Sequence, residues 1–366
     1  MLERARYPRD KYCAGAIAAR GLVALERLGV DLDLGGALPA VRIDHFTVAI
    51  GGARVQVEQP AAAHVIRRDA FDARLAEVVQ HRGIELRQAA RVRELVRGDD
   101  GVTLVLDQGP VVRARAIVGA DGITGVVRRA IGLPRGELRA QAVEVDTARV
   151  ADDPPPNTLE FGFDRGLRGY CWDFPTPLDG RVQMSRGAYL LRDPLSDQAD
   201  VQRHLSAHLR RRGFSLSEHR IKQLAERGFD PRAPISAPRA ILVGEAAGID
   251  FPTGEGIAQA ILHGAAAAAY LAERLARGRI DFADWRRRWL QTNEGRFLRQ
   301  RLLGGKVQYG AARPIVERMM GRSPEVFRLL LRRFAGLPLH RRVLLDALAQ
   351  LGVALLRESL CARSCA

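Results

Sequence analysis

The sequence predicts a mixed α/β chain: a parallel-sheet domain built from separated stretches, an inserted antiparallel sheet, and a helical C-terminal region. Three observations carry this. The apolar run Ile241-Leu242-Val243 ends in Gly244-Glu245 and passes through a Gly/Pro-rich loop into an Ala-rich stretch from Ile257, which reads as a buried strand, a loop and a long helix. A second apolar run, Val111 to Val118, ends at Gly119-Ala120-Asp121-Gly122 in the same manner. Between the two corners, short segments alternate apolar and polar residues, the period of antiparallel strands.

Bulk properties narrow the function classes. A chain of 366 residues with 47% hydrophobic and 27% charged residues has the length and composition of one large or two medium globular domains. No run approaches the ~20 apolar residues of a spanning helix, and the first residues lack the apolar core of a signal peptide. The expected location is cytoplasmic. The net charge of +15 invites a nucleic-acid reading. It comes almost wholly from arginines spread along the chain, with no aromatics interleaved among the basic runs, so no nucleic-acid partner is expected. Cys13, Cys171, Cys361 and Cys365 are too scattered for a disulfide scaffold, and nothing completes a metal-ligand set.

In order along the chain, Ala16 to Leu28 reads as a short amphipathic helix closed by Gly29. Val41 to Gln59 reads as a hairpin around Gly51-Gly52, with Ile43, His45 and Thr47 on one face and Phe46 and Val48 on the other. A helix follows Val65-Ile66-Arg67-Arg68. Ile84 to Leu86, Val92 to Val96, Val102 to Leu106 and Val111 to Val118 read as strands, as do Ala142 to Val150 and Thr158 to Phe163. In Gly169-Tyr170-Cys171-Trp172-Asp173-Phe174-Pro175, alternation sends Tyr170, Trp172 and Phe174 to one face, an aromatic wall. Ser196 to Arg212 and Leu216 to Arg227 read as polar helices. Ile257 to Ala276, Phe282 to Leu303, Pro324 to Phe334 and Arg341 to Leu356 read as helices, the last ones alternating Leu/Val with Arg. His64 and His263 have no evident partners and read as structural.

The corner at 241–257 has a chemical logic. Gly254 and Gly256 keep the loop thin, so free N–H groups and the positive helix end face a bound anion, or a ring that becomes anionic on reduction. Glu245 at the strand tip suits a sugar hydroxyl pair. Gly244-Glu245-Ala246-Ala247 with Pro252 and Gly254-Glu255-Gly256-Ile257 resembles the second FAD signature of flavoproteins of the para-hydroxybenzoate hydroxylase fold. Glu245 stands where Asp is commoner. Asp121-Gly122 before a helix with Arg128 and Arg129 resembles the other signature, with Gly125 where Ser is usual. Tyr-x-Trp-x-Phe-Pro at 170–175 resembles the substrate-cavity motif of the geranylgeranyl reductase-like members, although only Gly187 remains of the Gly-x-Gly that follows there.

The resemblance implies a noncovalent FAD, a Rossmann-like FAD-binding domain (1–40, 60–135 and 235–280), a sheet-rich substrate domain (41–59 and 136–234) and C-terminal helices (281–366). It places Glu3, with Arg4 beside it, at the adenosine ribose, backbone near Val92 at the adenine, and Arg68 against the FAD. Cys13-Ala14-Gly15 lies beside the flavin ring, with Cys13 tuning the ring or touching substrate. Asp121 and Gly122 meet the ribityl region, with Gly244, Glu245, Pro252, Gly254, Gly256 and Ile257 around ring and sugar. Tyr170, Trp172 and Phe174 line the cavity. It also implies a Gly-x-Gly-x-x-Gly unit ahead of Glu3. None occurs here, so the expectation is a chain lacking about thirty residues of such a β-α-β unit.

The activity implied is hydride delivery from reduced FAD to a carbon–carbon double bond of an isoprenoid or lipid, with NAD(P)H or ferredoxin as reductant. Alternatives are an FAD monooxygenase or tailoring enzyme on an aromatic substrate, and a degenerate flavoprotein without activity. Basic C-terminal helices would suit peripheral contact with an anionic membrane.

Overall fold

The computed structural model describes residues 1–335 and 337, except 165, 193–197 and 250–251. The predicted helix at 341–356 and Cys361 and Cys365 lie outside the described residues. In chain order the elements are β1 (Ala16–Ala18), α1 (Ala19–Arg27), β2 (Ala40–Ile50), β3 (Ala53–Ile66), α2 (Arg68–His81), β4 (Val92–Arg97), β5 (Val102–Leu106), β6 (Val112–Ala114), β7 (Ile117–Gly119) and α3 (Val127–Ala130). Then follow β8 (Leu138–Thr147), β9 (Thr158–Phe163), β10 (Gly169–Leu178), β11 (Arg181–Leu191), α4 (Gln198–Arg210), β12 (Lys222–Arg227), β13 (Ser236–Ala237) and β14 (Ala240–Leu242). The chain continues through α5 (Ile257–Ala276), α6 (Trp285–Gln291), α7 (Asn293–Gln308), α8 (Arg313–Arg322) and α9 (Pro324–Ala335).

Eight strands form one sheet in the order β1-β3-β2-β9-β10-β11-β8-β12, while β13-β14-β7 and β4-β5-β6 form two small sheets. The mixed α/β class is therefore as read from the sequence. The cofactor-type corners sit on the small sheet, where β7 and β14 run parallel with Val118 opposite Ile241 and Gly119 opposite Leu242. Parallel pairing brings both strand ends, and both Gly/acid loops, to the same edge. Leu2 makes an isolated parallel bridge to Arg87, and Glu3 N–H donates to Arg87 O at 2.9 Å.

The large sheet has two chemically distinct faces. Phe46, Val48, Tyr170, Trp172, Phe174 and Tyr189 share one core, roofed by Met320, Phe327 and Leu331 of α8 and α9. These apolar side chains of the basic tail thus turn onto the sheet. The opposite face packs Val143, Val145 and Ala188 against Val201, Leu205 and Leu209 of α4.

Six readings need correction. Ile84 to Leu86 forms no strand, and only Arg87 beyond it bridges Leu2. Val111 to Val118 divides into β6 and β7, which join different sheets. Ala16–Ala18 is an edge strand pairing antiparallel with Ala63–Val65 before α1 begins, because the flank of β3 satisfies its backbone. Lys222–Arg227 is a strand on β8 and not part of a helix. Its period-two pattern is hidden by helix-favouring residues whose polar ends find inward partners: Lys222 reaches Asp146 and Glu226 accepts from Tyr189. In β2 a register shift between Ile43 and His45 reverses the alternation, so Ile43 joins Phe46 and Val48 in one core. The helix read from 282 to 303 breaks at Thr292, whose hydroxyl accepts from Gly295 N–H at 3.0 Å and restarts the chain as α7.

Candidate functional site

Four segments that are remote in sequence meet around the ends of β7 and β14. At the second corner, Gly244 has a positive φ of 56°, a conformation Gly adopts without the penalty of a Cβ. Its N–H donates to His263 Nδ1 at 3.2 Å. His263 is 2% exposed and packs its ring against both Trp285 and Trp289, at 5.4 and 4.1 Å between ring centroids. Burial lowers its pKa to about 3, so the ring stays neutral and accepts from Gly244. His263 reads as structural from the sequence; its contact with the signature glycine has no local sequence signal.

Glu245 accepts the N–H of Arg227 at 2.7 Å. Burial pushes its carboxyl up to about 7, against the opposing pull of that N–H, Lys11 and Arg227. At the first corner, Asp121 folds back so that its carboxylate accepts the Val127 N–H at 2.9 Å and caps α3. The Gly125 position has room for it because a side chain there would overlap the Asp121 carboxyl. Gly122, at φ 72°, has nothing within 4 Å of where a Cβ would stand.

Two arginines join the corners. Arg128 donates from Nη1 to Ala246 O at 3.1 Å, and Arg227 donates from Nη2 to Ile123 O at 2.8 Å. Arg227 is 6% exposed, yet its Nε and Nη1 are buried without partners, with Asp121 and Glu245 both acting on its charge. Sequence reasoning missed Arg227, because it sits in the strand that reads as helical.

The Cys13 loop closes the third side. Gly15, at φ 81°, lies against Ile66 O, and its N–H points to Cys13 Sγ at 3.4 Å. Ala14 is half-buried against the wall-side core. Arg68 grips Asp72 with two hydrogen bonds of 2.8 and 2.9 Å, and its charge acts on Cys13. Asp72 also takes Arg9, which reaches on to Glu3 at 3.3 Å. The Glu3 carboxylate accepts from Ala5 N–H and Tyr7 as well. Arg4 is exposed, and Val92 pairs with Leu106 at the start of β4. Lys11 is accessible but walled in; burial and the Arg68 charge lower its pKa, and it faces Cys13, Asp72 and Glu245. The Cys13 loop, Arg68 and Glu245 therefore form one cluster.

The fourth side is the aromatic wall. Tyr170 donates to Thr253 O at 2.8 Å, and a Cβ on Gly254 would stand 2.8 Å from the Tyr170 hydroxyl and 3.1 Å from Tyr189. The Gly254 loop therefore rests directly on the wall. Tyr170 stacks on Tyr189 at 5.1 Å, Trp172 lies 6.1 Å from Phe174, and the Trp172 indole covers Gly187. Pro252 is buried under Gly305 of α7. Gly256 caps α5 and Ile257 begins it. At this helix end Glu255 takes the Ala258 N–H at 2.9 Å and pairs with Arg20, which also reaches Glu294. An acid thus occupies part of the helix terminus that the sequence suggested was open to an anion.

These residues fit a flavin dinucleotide. The unpartnered nitrogens of Arg227 and the accessible Lys11 supply cationic donors, Glu245 supplies an acid for sugar hydroxyls, and the thin Gly254 loop meets an apolar aromatic face.

Residues 1–165 match a family model described as an FAD binding domain. A menaquinone reductase of Mycolicibacterium smegmatis is 26% identical over 286 residues, covering 70% of this chain and 66% of that protein. Digeranylgeranylglycerophospholipid reductase 1 of Methanopyrus kandleri is 31% identical over 173 residues, 45% of this chain and 44% of its own. A geranylgeranyl bacteriochlorophyll reductase-like protein of Thermoplasma acidophilum shares the fold with a TM-score of 0.74 at 18% identity, covering 95% of this chain and 89% of that one.

Proposed function

We propose that this chain is an FAD-dependent oxidoreductase similar to the geranylgeranyl reductase-like flavoproteins, and that it reduces carbon–carbon double bonds of an isoprenoid or related lipid. The observation that carries the reading is the contact between the Thr253–Gly254 loop and the Tyr170/Tyr189 stack. It sets a buried aromatic wall against the corner assigned to the cofactor. The names of relatives that act on menaquinone and on geranylgeranyl lipids support the same substrate class.

When bound, FAD supplies the hydride. The chain's own part is positioning and electrostatics. Glu3 and Arg4 would lie toward the adenosine ribose, Val92 toward the adenine, Arg227 and Lys11 toward the phosphates, and Glu245 toward sugar hydroxyls. The Cys13 loop, backed by Arg68, would flank the ring. Asp121 acts indirectly, by capping α3 and holding Gly122 open. Tyr170, Trp172 and Phe174 exclude water and align the apolar substrate.

The test is anaerobic. Purified protein loaded with FAD is reduced by dithionite, given menaquinone or a digeranylgeranyl glycerophospholipid in detergent, and the product weighed. A gain of two hydrogens supports the proposal. A gain of one oxygen when air is admitted would instead support a monooxygenase, and a chain that retains no flavin would refute both. Repeating the reduction with NADPH, NADH or reduced ferredoxin identifies the reductant.

A further inference from the structure

Saturating a double bond consumes a proton as well as a hydride, and the aromatic face of the sheet holds one acid placed to store it. Glu144 on β8 faces the same side as the wall. It is opposite Gly187, which lies opposite Trp172, and on its other side it is opposite Lys222. It is 1% exposed. Oε1 accepts the Cys13 N–H at 3.1 Å, while Oε2 is buried without a hydrogen-bond partner.

The nearby cations are engaged elsewhere. Lys222 Nζ and Arg67 Nη1 both go to Asp146 Oδ2, at 2.7 and 3.2 Å. Glu144 thus keeps a single amide donor in a buried setting, which favours its neutral acid form. Burial pushes its carboxyl up to about 7, with Asp146 adding to the rise and Lys222, the Cys13 N–H and Arg67 opposing it. The Cys13 thiol is raised by burial and further by Glu144, with Arg68, the Gly15 N–H and Lys11 lowering it.

We propose that Glu144 and Cys13 form a proton relay, in which the Cys13 thiol protonates the substrate and Glu144 reprotonates Cys13. This rests on the reading of the site as a double-bond reductase. In the balanced step one alkene carbon takes the hydride from the reduced cofactor and the other takes the Cys13 Sγ proton. The alkene is reduced and the cofactor oxidised. The thiolate, offset by Arg68, then takes the Glu144 proton, the weaker acid drawing it from the stronger. The Glu144 carboxylate, beside Lys222, recovers its proton from solvent. Glu144 acts through Cys13 and is a positioning residue.

Two measurements on the full chain test this. In the protein without substrate, Cys13 alkylation by iodoacetamide is followed by peptide mass mapping at pH 8. Glu144→Gln keeps an acceptor for the Cys13 N–H but removes the anion, so Cys13 reacts at least 3-fold faster; an unchanged rate overturns the coupling. In the second, dithionite-reduced, FAD-loaded protein is mixed with a digeranylgeranyl glycerophospholipid. Glu144→Gln slows reoxidation about 100-fold, the scale of general acid catalysis, and removes the rate's fall above pH 7, with FAD uptake unchanged. Wild type that reoxidises while the variant matches it in rate and pH profile overturns the relay alone. Wild type that does not reoxidise overturns the reductase reading with it.

Discussion

Replacing Gly254 by Ala tests the loop-on-wall contact. The residue has a φ of 70°, and an L side chain held in the left-handed region costs about 1–2 kcal/mol. The new Cβ would stand 2.8 Å from the Tyr170 hydroxyl and 3.1 Å from the Tyr189 ring, several tenths of an ångström inside ordinary contact. Relief requires the loop to lift, which weakens the 2.8 Å bond from Tyr170 to Thr253 O, or the stacked tyrosines to shift. Overpacking of this kind costs about 1–3 kcal/mol. The sum, about 2–5 kcal/mol, appears as lost stability in urea, or as 30-fold or more weaker FAD binding if the loop lifts. A double-mutant cycle with Tyr170→Phe removes the closest clashing atom and recovers about 1 kcal/mol of the loss. Wild-type stability and affinity in Gly254→Ala, or strict additivity with Tyr170→Phe, would refute the contact.

Two further outcomes follow from the buried charges. Glu144 and Glu245 have folded pKa values of about 7 against an ordinary 4.5, so the fold binds protons that the unfolded chain releases. Their stabilisation is full below pH 4.5 and is lost as pH rises through 7, by up to ~3 kcal/mol each; His263, at about 3 against 6.5, acts oppositely below pH 6.5. Urea melts of the cofactor-free protein should show higher stability at pH 6 than at pH 8, with that difference reduced by Glu144→Gln and Glu245→Gln, and a flat profile in wild type would contradict the assignment. Arg227→Met removes the buried donors that would face the cofactor phosphates in the proposed site and should weaken FAD binding about 10–100-fold, the scale of a charge-assisted hydrogen bond; unchanged affinity by fluorescence titration would remove Arg227 from the site.

Elements whose period matched their burial were legible in the sequence. Ile257–Ala276 is a helix over the whole predicted span, and Thr158–Phe163 is a strand with its predicted ends. The wall was readable because period-two alternation fixes which side chains share a face, whatever the sheet does next. Lys222–Arg227 was not, since its strand character depends on inward polar partners supplied by β8, β11 and the Glu245 corner. For the same reason Arg227 and Glu144 stayed hidden. An unpartnered nitrogen or oxygen is a property of what surrounds it, and those neighbours come from more than one distant segment. The convergence of the Asp121 and Glu245 corners was implied by the family resemblance and follows physically from the parallel pairing of β7 and β14, whereas the fold-back of Asp121 onto α3 depends on the missing side chain at Gly125.

The most direct measurement is the flavin content of the purified full chain after incubation with excess FAD and gel filtration. The account predicts about one equivalent of FAD per chain, released on acid denaturation, and markedly less in Glu245→Ala. A chain that emerges colourless, with no saturable FAD uptake in a parallel fluorescence titration, would contradict it.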